Sequence, residues 1–134
     1  MTHEAHVLLA SFTIPGDAPS TLNMREHWAA AADRVKRTRA KVRLVAPRLR
    51  GPAPLCIRLT RVGHRKLDGD NLQGALKGHR DGVASLYRVD DASPLVEWQY
   101  EQRTSSDEAA HGVTVELFSR AVFHVEPLGS DVLS

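Results

Sequence analysis

The chain has 134 residues, 42% of them hydrophobic, and a formal net charge of +2, enough apolar material for one domain around one core. Its single cysteine, Cys56, excludes a disulfide framework and a cysteine-based zinc site. The apolar run from Val7 to Phe12 is too short for a signal segment or a membrane span, and Met1–Val7 lacks a basic n-region, so a cytoplasmic protein with no membrane partner is expected.

In chain order, Val7–Ile14 has the composition of a strand, stopped by Pro15-Gly16-Asp17. Pro19–Asn23 forms a loop that launches a long helix over about Met24–Val45, with an apolar stripe of Trp28, Ala31, Ala32, Val35, Val42 and Val45. Trp28 is assigned to the core. Pro47 ends this helix, and Gly51-Pro52-Ala53-Pro54 is a turn. Leu55–Val62 is predicted to be a strand with Leu55, Ile57 and Leu59 on one face and Arg58 on the other. A second helix follows Asp70 with a buried stripe of Leu72, Leu76, Val83 and Leu86. Along it Asp70, Gly74, Lys77 and Asp81 fall on one continuous line, which Gly74 leaves open. Val96–Glu101 alternates as a strand, Thr104–His111 is a polar loop, and Gly112–Phe118 is the last strand. Residues 1–126 therefore form one domain, and 127–134 a loosely held tail.

The charge is distributed unevenly. No acidic residue lies between Asp33 and Asp68, and that stretch carries twelve of the 18 basic residues, from Arg34, Lys36, Arg37, Arg39, Lys41 and Arg43 to Arg58, Arg61, Arg65 and Lys66. Such a block is either a solvated helix face or a surface for a polyanion; backbone phosphates of DNA would be gripped there by residues such as Arg34, Arg37 and Lys41 without reading sequence.

Next to the basic block, four aspartates and a lysine fall within 24 residues: Asp68, Asp70, Lys77, Asp90 and Asp91. Asp68 and Asp70 are two apart and project from one face of an extended segment. Carboxylates held about 4 Å apart repel by about 1 kcal/mol per pair in water and about 4 kcal/mol near a protein surface. A divalent cation relieves that repulsion, and oxygen-only ligands suit Mg²⁺, with Mn²⁺ as a substitute. The duller reading of Asp68 and Asp70 is a turn and a helix cap. Trp98 and Tyr100 either stack on bases or pack the core or a dimer interface; Asn23 either contacts DNA or caps the long helix. Asn71 either orients its loop by hydrogen bonds or touches the metal, and it is counted among the DNA contacts.

The string Asp68-Gly-Asp-Asn-Leu-Gln-Gly-Ala-Leu-Lys-Gly-His-Arg-Asp-Gly-Val-Ala-Ser-Leu, followed by Val89-Asp-Asp and Trp98-Gln-Tyr-Glu-Gln102, resembles the RusA family of Holliday junction resolvases, as does the upstream Ser20-Thr-Leu-Asn23 with His27-Trp28. The resemblance spans about Pro19 to Gln102. It implies a small α+β fold with a mixed β-sheet and two main helices packed on it, and a homodimeric, metal-dependent endonuclease that nicks symmetry-related strands of a four-way DNA junction. Carried over by position, it implies that Asp68, Asp70 and Asp91 bind the metal and that Asp90 and Lys77 support them. Gly74 stands where some members carry the lysine, while Lys77 keeps its four-residue offset from Asp81. Two other functions fit the same residues: a Mg²⁺-dependent phosphohydrolase acting on a small compound, and a protein that grips branched DNA without cutting it.

Overall fold

A computed structural model describes residues 2–16, 18, 28–51, 53–90 and 92–124. It is an α+β fold: a four-stranded mixed sheet and, among the described residues, three α-helices. The strands are β1 (Thr2–Pro15), β2 (Cys56–Gly63), β3 (Glu97–Thr104) and β4 (Gly112–His124), in the order β1-β4-β2-β3. β4 pairs antiparallel with both β1 and β2, whereas β2 and β3 run parallel. A parallel pair requires a crossover, here the helical segment α2 (Gly69–Ala75) and α3 (Lys77–Leu86). The remaining helix, α1 (Trp28–Val45), connects β1 to β2 and lies against α3.

One face of the sheet carries the core. In register across the strands stand Ile14 with Val113, then Val115 with Leu59 and Tyr100, then Leu117 with Ile57 and Trp98. Ile14, Ile57, Leu59, Val113, Val115 and Leu117 are almost completely buried. Val42 of α1, Leu72 of α2, Leu76 between the helices and Val83 of α3 close the core from above. Trp98 and Tyr100 pack against this cluster, so their core role holds; Arg80 of α3 lies over the Trp98 ring at 4.5 Å and donates to the Tyr100 hydroxyl at 2.7 Å. The opposite face bears a polar row in which the Arg58 guanidinium donates to Gln99 at 3.1 Å and to Glu116 at 3.3 Å, 5.2 Å from the Phe118 ring centre.

Several boundaries differ from the sequence expectations. β1 and β4 extend well beyond Val7–Ile14 and Gly112–Phe118, because the two strands pair with each other along nearly their whole length. β2 is buried on both faces, Cys56 and Thr60 included, since it lies inside the sheet. Leu86, predicted to be buried, is 36% exposed, and Val45 and Ala32 are exposed as well. The expected second helix is broken at Leu76, whose backbone (φ −99°, ψ 4°) leaves the helical region while its side chain is fully buried. The hydrogen-bond chain still runs through it, from Leu76 N to Leu72 O at 3.1 Å and from Arg80 N to Leu76 O at 2.9 Å.

The helix layer depends on the absence of side chains at two positions of α3. A Cβ on Gly78 would come 3.1 Å from the Thr38 Cβ, and one on Gly82 would come 3.0 Å from a Val42 methyl and 3.3 Å from the Arg39 Cα. α1 and α3 thus touch almost backbone to backbone. A Gly82→Val substitution should lower the unfolding free energy by about 1–3 kcal/mol through overpacking, measured by denaturant titration. Gly69→Ala, at a site with nothing within 4 Å, should leave it unchanged or raise it by less than about 1 kcal/mol.

Candidate functional site

The aspartate segment begins just beyond the end of β2, and two side chains of neighbouring strands fasten it. Arg61 of β2 and Gln102 of β3 are register partners on the helix-bearing face. Gln102 grips the backbone of Leu67 from both sides, accepting from its N–H at 2.9 Å and donating to its carbonyl at 2.6 Å. Arg61, only 7% exposed, donates to Arg65 O at 2.9 Å and to Ala18 O at 2.7 Å. Its guanidinium curls over Gly63, where any Cβ would collide with it at 2.6 Å.

Asp68, directly after Leu67, is the N-cap of α2. Its Oδ1 accepts from the Asn71 backbone N–H at 3.1 Å and from the Asn71 side-chain amide at 2.8 Å. Asp70 stands in the first helical turn, and both carboxylates are exposed. The cap reading of Asp68 is what the geometry shows, and the positive end of the helix favours the negative charge of both residues. Asn71 takes the orienting role, tying its amide to Asp68.

Asp90 belongs to a different turn, four residues beyond the end of α3, where its Oδ1 accepts from Ala92 N at 3.0 Å. Asn23 and Asp91 lie outside the described residues. Among the described residues no three histidine, cysteine, aspartate or glutamate side chains are placed to hold one metal ion. Asp68 and Asp70 are the two carboxylates at the start of α2; an ion such as Mg²⁺ is commonly bound through one or two carboxylates and keeps several of its waters.

The predicted line Asp70–Gly74–Lys77–Asp81 is interrupted by the break at Leu76. Its middle survives: Gly74 and Lys77 line one cavity of about 300 Å³ together with Gly78 and with Ala31, Ala32, Arg34 and Val35 of α1. Asp70 is one turn before Gly74 on the same helix face. Arg34 also lines a second cavity, of about 280 Å³, with Arg37, Thr38 and Lys41 of α1, with Ala18, with Ala75 of α2 and with His79 of α3. The three cations expected to meet DNA thus share one side of α1, beside the segment that starts with the aspartates. The twelve-residue basic block is not one surface, however. Arg61 is buried in backbone hydrogen bonds, and Arg58 sits on the opposite face of the sheet in its network with Gln99 and Glu116. Alternation along the strands sends these two to opposite faces.

Three further residues that hold or line this region carry a signal in the sequence. Arg61 continues the inward alternation Ile57–Leu59, Gln102 continues Trp98–Tyr100, and His79 falls in the stripe Leu72–Leu76–Val83. His79 is 7% exposed and its Nδ1 has no hydrogen-bond partner. Burial, and secondarily the Lys41 ammonium, push its pKa down to about 4.

No family model, no curated protein and no solved structure matches the chain. No helix among the described residues is long and apolar enough to cross a membrane.

Two outcomes follow for the scaffold. Gln102→Ala should cost about 1–3 kcal/mol by stranding the Leu67 N–H and carbonyl, and hydrogen exchange at Leu67 should accelerate more than that of β4. Because the folded pKa of His79 lies below its unfolded value of 6.5, the unfolded state binds the proton first. Stability present above pH 6.5 is then lost as the pH falls towards about 4. His79→Gln should remove that part of the pH dependence, seen as the difference between the two proteins' unfolding free energies across this window.

Proposed function

We propose that the chain is a RusA-type endodeoxyribonuclease that cuts four-way DNA junctions by metal-assisted phosphodiester hydrolysis. The observation that carries the proposal is the placement of Asp68 and Asp70 at the start of α2, one turn from the cavity lined by Lys77 and Arg34. Carboxylates for a hard cation and cations for the DNA backbone stand side by side, as hydrolysis of a phosphodiester requires. The resemblance of the Asp68–Asp91 segment and of Trp98–Gln102 to the RusA family supports the junction as substrate.

In this reading Asp68 and Asp70 hold Mg²⁺ or Mn²⁺, with Asp91 completing the set and Asp90 supporting it. The bound ion supplies Lewis-acid polarisation of the phosphate and a water of lowered pKa. Asn71 keeps the Asp68 carboxylate oriented. Lys77 offsets the negative charge that grows on the phosphate as the new bond forms. Arg34, Arg37 and Lys41 hold the flanking backbone phosphates, an attraction that weakens as salt rises. A two-fold dimer presents two such sites to a substrate with the same symmetry.

The test is a Mg²⁺-dependent cleavage assay on a mobile four-way junction beside a linear duplex of the same sequence. Paired nicks confined to the junction are expected. Asp70→Asn should reduce cleavage by at least about a hundredfold while junction binding is kept, since its carboxylate serves the metal and not the fold. Binding without nicks in both Mg²⁺ and Mn²⁺ would favour a branched-DNA-binding protein, and absence of DNA binding would overturn the proposal.

A further inference from the structure

β3 is an outer strand of the sheet, and among the described residues no strand pairs with its far side. The ladder fixes which backbone groups face that side. The Glu97 N–H donates to Leu55 O at 2.9 Å and the Ser105 N–H to Gly63 O at 2.9 Å, so the odd-numbered residues of β3 turn their N–H and C=O groups towards β2. The groups of Trp98, Tyr100 and Gln102 alternate with these and face outward. An uncovered edge is a template for another strand unless it is blunted. The other edge, β1, carries a bulge between Leu8 and Ala10 and ends in Pro15. β3 keeps one regular register over Glu97–Thr104 and contains no proline, glycine or lysine.

The side chains on this edge are complementary to a second copy of themselves. Antiparallel pairing about a two-fold axis at Tyr100 sets Glu97 of each copy opposite Arg103 of the other, and Gln99 opposite Glu101. An axis at Gln99 would instead oppose Glu97 to Glu101, and an axis at Glu101 would oppose that residue to itself; like charges directly opposite are destabilising. Axes further out overlap fewer residues. Arg103 is exposed and forms no ion pair among the described residues. Within one protomer it lies six residues along an extended strand from Glu97, about 20 Å, too far to pair. On the other face of the strand, Trp98 and Tyr100 are only partly buried by their own core. We propose that β3 pairs antiparallel with β3 of a second copy about Tyr100, joining two four-stranded sheets into one of eight strands. Directly opposed residues share a face, so the helices and the Asp68–Asp70 segments of both copies lie on the same side of that sheet. This names the seam of the two-fold dimer and rests on the proposed function only for its purpose, because the pairing needs neither DNA nor metal.

Sedimentation velocity of the full-length protein over a dilution series, at low ionic strength and without DNA or metal, tests the seam. A reversible dimer is expected. Arg103→Glu should raise its dissociation constant at least about tenfold, since both Glu–Arg contacts become Glu–Glu. Arg103→Gln, which removes attraction without adding repulsion, should fall between that variant and the parent. Glu97→Arg combined with Arg103→Glu restores both contacts in the reverse sense and should recover most of the loss. The two positions cannot meet inside one protomer, so that recovery reports contact between copies. A monomer at every concentration, a dimer insensitive to Arg103→Glu, or a double variant no tighter than Arg103→Glu alone would overturn the pairing. Each of these leaves cleavage to its own assay, so the seam and the nuclease reading fail separately.

Discussion

Arg61 and Gln102 form the constraint on which the candidate site depends. They stand side by side on parallel strands, and both bond to backbone: Gln102 to that of Leu67, Arg61 to that of Arg65 and Ala18. Without them the segment after β2 would leave the sheet with no fixed direction, because a loop of this kind has few backbone partners of its own. With them, the chain enters α2 with Asp68 in the capping position and Asp70 one step inside the helix. The same guanidinium reaches Ala18, so the exit of β1 and the entrance to the aspartate segment are coupled through one buried side chain. Gly63 is the complement to this arrangement, since any side chain there would occupy the space of the guanidinium.

A second constraint sets the cation side of the site. α1 can bring Arg34, Arg37 and Lys41 next to the α2–α3 segment because Gly78 and Gly82 let its backbone approach α3. Larger residues would push α1 outward and widen both cavities. The close approach also accounts for the burial of His79, which stands on the same helix between the two glycines and faces the core side. Its proton affinity is lowered first by burial and then by Lys41, so at neutral pH it is a neutral group in the wall between the two helices.

Metal-assisted nucleases need negative charge to gather cations and positive charge to gather phosphates, and the two must not neutralise each other. On the proposed reading, secondary structure achieves that separation in this chain. The aspartates occupy the first turn of α2, where the helix N-terminus favours them, and the basic residues occupy α1. The Arg58 pairs with Glu116 and Glu101 lie on the opposite face of the sheet, and on α1 itself Arg37 pairs with Asp33 at the exposed surface.

Much of the fold was legible from local pattern. The strand at Val7–Ile14, the helix ending before Pro47, the alternation around Trp98 and the capping chemistry at Asp68 all follow from spacing and residue type, which act over a few neighbours. Which residues carry charge, and that Asp68 and Asp70 share one small region, were determined by the sequence alone. Tertiary structure decided the rest, because it depends on contacts between residues far apart in the chain. It divided the basic block, sending Arg61 inward and Arg58 to the far face; it broke the second helix at the buried Leu76; and it extended β1 and β4 by pairing them with each other. The cavity lined by His79 exists only where α1 and α3 meet, and no local pattern in either helix encodes that meeting.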